Sequence, residues 1–160
     1  MSTDHVEAVV RPAIPAKCLA EIEAWLLRRV FKTEENGEYL GFDGCWTLND
    51  LYDETLSLDE ELRSALAASR HICPELCAAV ERQIGEVGWI ILGDVDYETI
   101  FQAVILRHPD LLDHISIARC YRDTKMRYFD ESFTLITATS IETICSRGDK
   151  IVHRKGTAPH

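Results

Sequence analysis

The stretch Leu112-Asp113-His114-Ile115-Ser116-Ile117-Ala118-Arg119-Cys120-Tyr121 decides how the chain is read. Ile115, Ile117, Arg119 and Tyr121 alternate with His114, Ser116, Ala118 and Cys120, a period of two that belongs to a pleated strand with one face turned to a core. Upstream of Leu112 the apolar residues recur instead at steps of three and four, the spacing of helices. One change of rhythm therefore divides a helix-rich first two thirds from a strand-rich remainder.

Working upstream, Tyr97, Ile100, Phe101, Val104 and Ile105 line one face of a helix. Asp94 or Asp96 caps it, and His108-Pro109 stops it because the residue before proline avoids helical backbone. The run 87–92 is short, bulky and apolar, which predicts a buried strand. Pro74 opens a helix with Leu76, Cys77, Val80 and Ile84 inward, and Gly85 is the expected terminator. Ser57 and Glu60 form a capping box for a helix to about Arg70, with Leu58, Leu62, Ala65, Leu66 and Ser69 facing inward. Thr47 is a candidate cap for a short helix to Leu56. Asn36-Gly37 marks a tight turn that either closes a hairpin or ends the preceding helix. That helix is expected over 15–31, where Cys18, Leu19, Ile22, Trp25, Leu26 and Val30 share one stripe.

Downstream, 125–129 and 133–145 continue the extended pattern. The apolar phase slips there, from Phe133 and Leu135 to Ile136 and Ala138 and then to Ile141 and Ile144. A regular strand cannot bury all three sets, so a bulge or sharp change of direction is predicted near 135–140. A hairpin turn over 146–150 should return the chain through 151–153.

These elements predict an α+β fold, several N-terminal helices packed on a curved antiparallel sheet formed mainly by residues 113–155. Residues 1–14 and 156–160 read as flexible ends of a single domain spanning 15–155. From residue 87 to 155 the order of strand, helix and long bent strands resembles cone-shaped domains similar to nuclear transport factor two. That resemblance implies a curled sheet closed at one end by helices; it carries no catalytic residues across.

Composition narrows the function. The 160 residues carry 27 acidic and 17 basic side chains, a formal charge of −10 that repels the phosphate backbone a nucleic-acid binder must neutralise. No apolar run is long enough to cross a bilayer, and the first fifteen residues lack the basic start and apolar core of a secretory signal. Cytoplasmic localisation is the expectation, with the six cysteines mostly buried thiols rather than a disulfide framework.

The soft ligands His71, Cys73 and Cys77 form the densest metal-compatible cluster, but zinc spacing calls for a second downstream pair that the chain does not have. Cys73 begins a helix, where free amides favour a thiolate, while a packed, inert thiol is the plain alternative. Asp94 and Asp96 follow a buried strand, a position from which carboxylates can hold a cation in phosphate-handling enzymes; ordinary N-capping explains the pattern equally well. His108, Asp110 and His114 fall at the junction of helix and sheet, where an imidazole beside a carboxylate can act as a base. No cofactor is implied, since no glycine-rich phosphate loop is present.

Two roles remain. The first is a cytoplasmic protein-interaction module, of inhibitor, immunity or assembly-subunit type, with a protein partner or a second copy on its surface. The alternative is a small-molecule enzyme or binding protein with a cone-shaped cavity, of isomerase, dehydratase or hydrolase type, using Asp94, Asp96, His108, Asp110 or His114. The sequence leaves open whether the chain is an enzyme.

Overall fold

A computed structural model of the chain describes residues 5–47, 54–122, 129–145 and 150–151. It is α+β, as the change of rhythm predicts. In chain order the elements are β1 (His5–Arg11), β2 (Ile14–Pro15), α1 (Glu21–Val30), β3 (Lys32–Asn36), β4 (Tyr39–Thr47), β5 (Thr55–Ser57), α2 (Glu60–Ser69), α3 (Pro74–Val87), β6 (Trp89–Ile91), α4 (Tyr97–Arg107), β7 (His114–Arg122), β8 (Phe129–Thr137), β9 (Ile141–Cys145) and β10 (Lys150–Ile151).

Eight strands form one sheet in which β10, β9, β8, β7, β1 and β4 are neighbours in that order, every pair antiparallel. Asp43 of β4 pairs with Val9 of β1 on one side and Lys32 of β3 on the other. Leu40 likewise lies between Ile14 of β2 and Glu35 of β3. Strands β1 and β2 therefore follow one another along the same edge of β4. β5 and β6 make a separate two-stranded ribbon.

The sheet corrects the sequence reading in one central respect. Half of its strands come from the N-terminal third, and the segment expected to be a flexible start supplies β1, an interior strand between β7 and β4. Val6, Ala8 and Val10 are buried and their neighbours are not, so the period-two signal was present at both ends of the chain. Helices and strands are thus interleaved rather than divided at Leu112.

One face of the sheet carries the core. Ala8, Val10, Phe42, Ile115, Ile117, Ile136 and Ile141 meet Ile22, Leu26, Val30, Phe101 and Val104 of α1 and α4. Phe31, Phe42, Tyr97 and Phe101 stack edge to face or tilted at centroid distances of 5.0–6.4 Å. Trp46 joins them, its indole N–H donating to the Val30 carbonyl at 2.6 Å. A Cβ added to Gly44 would lie 2.1 Å from the Trp46 ring, so the close approach requires glycine.

Local signals are met with shifts that have physical causes. Asn36-Gly37 closes the β3–β4 hairpin, Gly37 taking φ +64°. Helix α1 begins after Ala20, because Pro15 pairs with Tyr39 in extended form and residues 16–18 make a 3-10 turn. Helix α2 is capped by Asp59, whose Oδ1 accepts the Leu62 amide at 2.8 Å, in place of the Ser57 box. Asp96 rather than Asp94 caps α4. The helix expected from Thr47 to Leu56 is contradicted at both ends, Thr47 closing β4 and Thr55 and Leu56 lying in β5, while 48–53 lie outside the described residues. The phase slip is a reversal: β8 and β9 form a hairpin joined through residues 138–140, burying Ile136 and Ile141 together. The turn expected at 146–150 lies almost wholly outside the described residues, as does most of 125–129.

Helix α3 continues through Gly85 and ends at Gly88, which takes φ +88° and donates its amide to the Ile84 carbonyl at 2.7 Å. A Cβ at Gly85 meets nothing within 4 Å. The two glycines therefore carry opposite predictions. Gly85→Ala should stabilise the protein by about 0.5–1 kcal/mol, while Gly88→Ala should cost about 1 kcal/mol, both read from denaturant midpoints.

Candidate functional site

A cavity of about 340 Å³ opens between α1, α3, α4 and the turn that leads into α4. Its walls include Leu26, Leu76, Val80, Ile90 and Ile100, brought together because the apolar stripe of α3 faces the flank of α1 and α4 instead of the sheet. Asp94 and Asp96 lie on its rim with Glu75, and all three side chains belong to exposed residues. The structure so gathers two carboxylates singled out from the sequence at one apolar hollow. Asp96 also accepts hydrogen bonds from the Thr99 amide at 3.2 Å and hydroxyl at 2.8 Å, the capping role equally expected of it.

Glu23 is a fourth carboxylate in the lining, and it is 0% exposed. Both its oxygens are occupied: Oε1 accepts the Ala20 amide at 2.9 Å and Arg107 Nη2, and Oε2 accepts Arg107 Nη1 at 3.0 Å. Arg107 Nη2 also donates to the Cys18 carbonyl at 3.3 Å. This forked pair ties the start of α1 to the end of α4. The Ile22 amide, an orphan of the same helix start, donates to the buried Ser69 hydroxyl of α2 at 3.0 Å. Glu23 lies in the apolar stripe of α1, four residues after Leu19 and three before Leu26. A charge in that stripe is the signal that sequence reading passed over.

Cys73 and Cys77 sit one helical turn apart and do not form a metal centre with His71. Cys73 lines the cavity and donates to the Ser69 carbonyl at 3.6 Å, Cys77 is buried and donates to the Leu66 carbonyl at 3.8 Å, and His71 is exposed. Among the described residues no three His, Cys, Asp or Glu side chains converge in a way that could hold a metal ion. Burial, reinforced by Glu23, pushes the Cys73 thiol up to about 12, which outweighs any help from the helix end and leaves it protonated and unreactive.

His108, Asp110 and His114 do not line the cavity between the helices. His108 ends α4, its amide shared between the Val104 and Ile105 carbonyls at 3.1 and 3.2 Å. Asp110 is exposed in the following turn. His114 opens β7 and pairs with its exposed neighbour Asp113 at 2.6 Å, a contact that lowers the Asp113 carboxyl from its usual range.

A second polar centre was not anticipated. Arg119, on the inward phase of β7, is 7% exposed and donates to Tyr97 Oη at 3.0 and 2.9 Å, Thr134 Oγ1 at 2.6 Å and Glu98 Oε1 at 2.9 Å. Thr134 and Thr143 hydroxyls share a further bond at 2.9 Å. Desolvation alone would lower the Arg119 pKa, but Tyr97 and Glu98 outweigh it and hold the guanidinium charged. Burial raises the Tyr97 hydroxyl, with Arg119 offsetting part of that rise. This network borders a hollow of about 360 Å³ on the inner face of the sheet, shared with Tyr121 and Asp130. Nearly all of the Arg119 donors are already spent on protein partners, so the centre serves to close the end of the core.

Among the described residues no helix covers the opposite face of the sheet. Val9, Ala118, Phe133 and Ile144 stand directly opposite one another on four adjacent strands. Val9, Phe133 and Ile144 are 38%, 45% and 49% exposed, and Ala118 is exposed as well. In register the row runs on through Asp43 to Lys32 beyond Val9 and to Lys150 beyond Ile144, and Glu7, Arg11, Glu131 and Glu142 fall on the same face. Arg122, also there, is paired with Glu7 at 2.7 Å.

Two outcomes follow from this geometry. Glu23→Ala, which leaves Arg107 without its buried partner, should destabilise the fold by about 3 kcal/mol, measured by chemical denaturation. Under brief alkylation with iodoacetamide at pH 8, peptide mapping should find exposed Cys45 modified well ahead of Cys73 and Cys77.

Comparison with known proteins finds no matching family model, no matching curated protein and no matching solved structure, so the side-chain geometry itself is the basis for a functional reading.

Proposed function

We propose that the chain is a protein-interaction module, of inhibitor, immunity or assembly-subunit type, that docks a partner on the open face of its sheet. The observation that carries this reading is the in-register row Val9, Ala118, Phe133 and Ile144. Scattered exposed apolar residues are ordinary, whereas a contiguous row crossing four strands leaves apolar surface in water that a partner would cover. The occupant this surface fits is a basic protein presenting apolar side chains ringed by Lys or Arg. Glu7, Asp43, Glu131 and Glu142 share this face with Arg11, Lys32, Arg122 and Lys150, so the attraction for a basic partner comes from the formal charge of −10 on the whole chain, which also opposes pairing with a second copy.

The test is an affinity isolation with the native chain and with the double variant Phe133→Ser, Ile144→Ser. A basic protein should be retained at low salt, released as salt rises, and lost from the double variant. Retention that survives the double substitution, or sedimentation showing self-association as the sole contact, would overturn the proposal.

A second reading is favoured by the cavity between the helices. Asp94 and Asp96 at an apolar hollow of about 340 Å³ suit a small-molecule binding protein. This hollow lies among helices, so it supports the binding role without the curled-sheet cone from which that role was first inferred.

A further inference from the structure

We infer that the cavity between α1, α3 and α4 is a site for an organic cation, an ammonium group carried on an aliphatic or aromatic body. This rests on the second reading above and assigns its ligand a chemical class. The open-mouthed apolar hollow defines the site, and its charge decides what fits.

The volume, about 340 Å³, falls at the small end of pockets that enclose metabolite-sized ligands. Leu26, Leu76, Val80, Ile90 and Ile100 offer an apolar body a desolvated wall. Every ionised group in the lining is an acid, and among the described residues no Lys or Arg side chain lines it. Glu23 is neutralised from behind by Arg107, so it contributes little net field. Asp96 is engaged in capping α4, and Glu75 and Asp94 supply the negative charge of the rim. Helices α3 and α4 both begin beside the cavity, and each helix start supplies a positive charge equivalent to roughly half an elementary charge. Two such ends do not cancel the carboxylates of Glu75 and Asp94, and the rim stays anionic. Cys73 in the wall is a protonated thiol and adds no charge.

An anionic rim over an apolar pocket selects against carboxylates and phosphates and in favour of amines whose hydrocarbon part reaches the wall. A small inorganic cation lacks that body, and the rim oxygens do not converge into a coordination shell.

The experiment is calorimetric titration of the full chain with hexylammonium, hexanol and hexanoate, which share a body and differ in charge. Hexylammonium should bind about tenfold tighter than hexanol, with hexanoate weaker than both. The double variant Glu75→Gln, Asp94→Asn should reduce the ammonium preference to about twofold while leaving hexanol unchanged. Ala79→Trp, at an exposed lining position, should abolish binding of both, and Ala103→Leu provides a second occlusion should the first not fold by circular dichroism. Equal affinity for hexanol and hexylammonium, or tighter binding of hexanoate, would overturn the cation assignment and leave the small-molecule reading standing. Ammonium binding that survives occlusion would place the cation on the general acidic surface and overturn the site. Failure of all three probes to bind would remove the small-molecule reading with it.

Discussion

The antiparallel pairing of β1 with β4 on one side and β7 on the other is the constraint on which the rest of the structure depends. Without His5–Arg11 the sheet would fall into an N-terminal hairpin and a C-terminal meander, each with an open edge along the middle of the core. With it, Ala8 and Val10 stand between Phe42 and Ile117, and the helices cover one continuous apolar surface. Such non-local pairing joins residues more than a hundred positions apart, so the order of the fold is set by contacts that local rhythm does not announce.

Charge placed inside the molecule then fixes how the helices lie on that surface. Glu23 and Arg107 hold the start of α1 against the end of α4, and Ser69 binds the same helix start from α2. Arg119 does the corresponding work at the other end of α4, through Tyr97 and Glu98. A buried ion pair adds little net stability over a well-packed apolar substitute, yet breaking one is costly, so these contacts act mainly to exclude other arrangements of α1 and α4. Helix α3 has no comparable link to the sheet. It packs beside α2 and the β5–β6 ribbon, and the hollow is the space left where its stripe faces α1 and α4 without filling the gap.

The two faces of the molecule consequently differ in kind. The helical side offers a concave, apolar hollow under an acidic rim. The open side of the sheet offers an apolar row with charges of both signs around it, as one-sided antiparallel sheets can.

Local chemistry was legible wherever one residue type suffices to set a backbone. Asn36-Gly37 as a turn, the stripe of α4, the alternation from His114 to Tyr121 and the phase slip near Ile136 all describe short-range choices of φ and ψ, and sequence alone determines them. The same local signals misplaced the end of α3 at Gly85, since glycine permits a stop without compelling one, and only the positive φ at Gly88 decides. Asp94 and Asp96 could be noticed as carboxylates beside a helix start, but not that Glu75 and Val80 would share their hollow. That depended on how α3 lies against α1, a packing outcome involving residues distant in the chain. The place of β1 in the interior of the sheet, the partners of Glu23 and Arg119, and the exposure of the row from Val9 to Ile144 were likewise decided by tertiary structure. Pairing partners and burial are properties of two surfaces meeting, and a sequence pattern describes just one of them at a time.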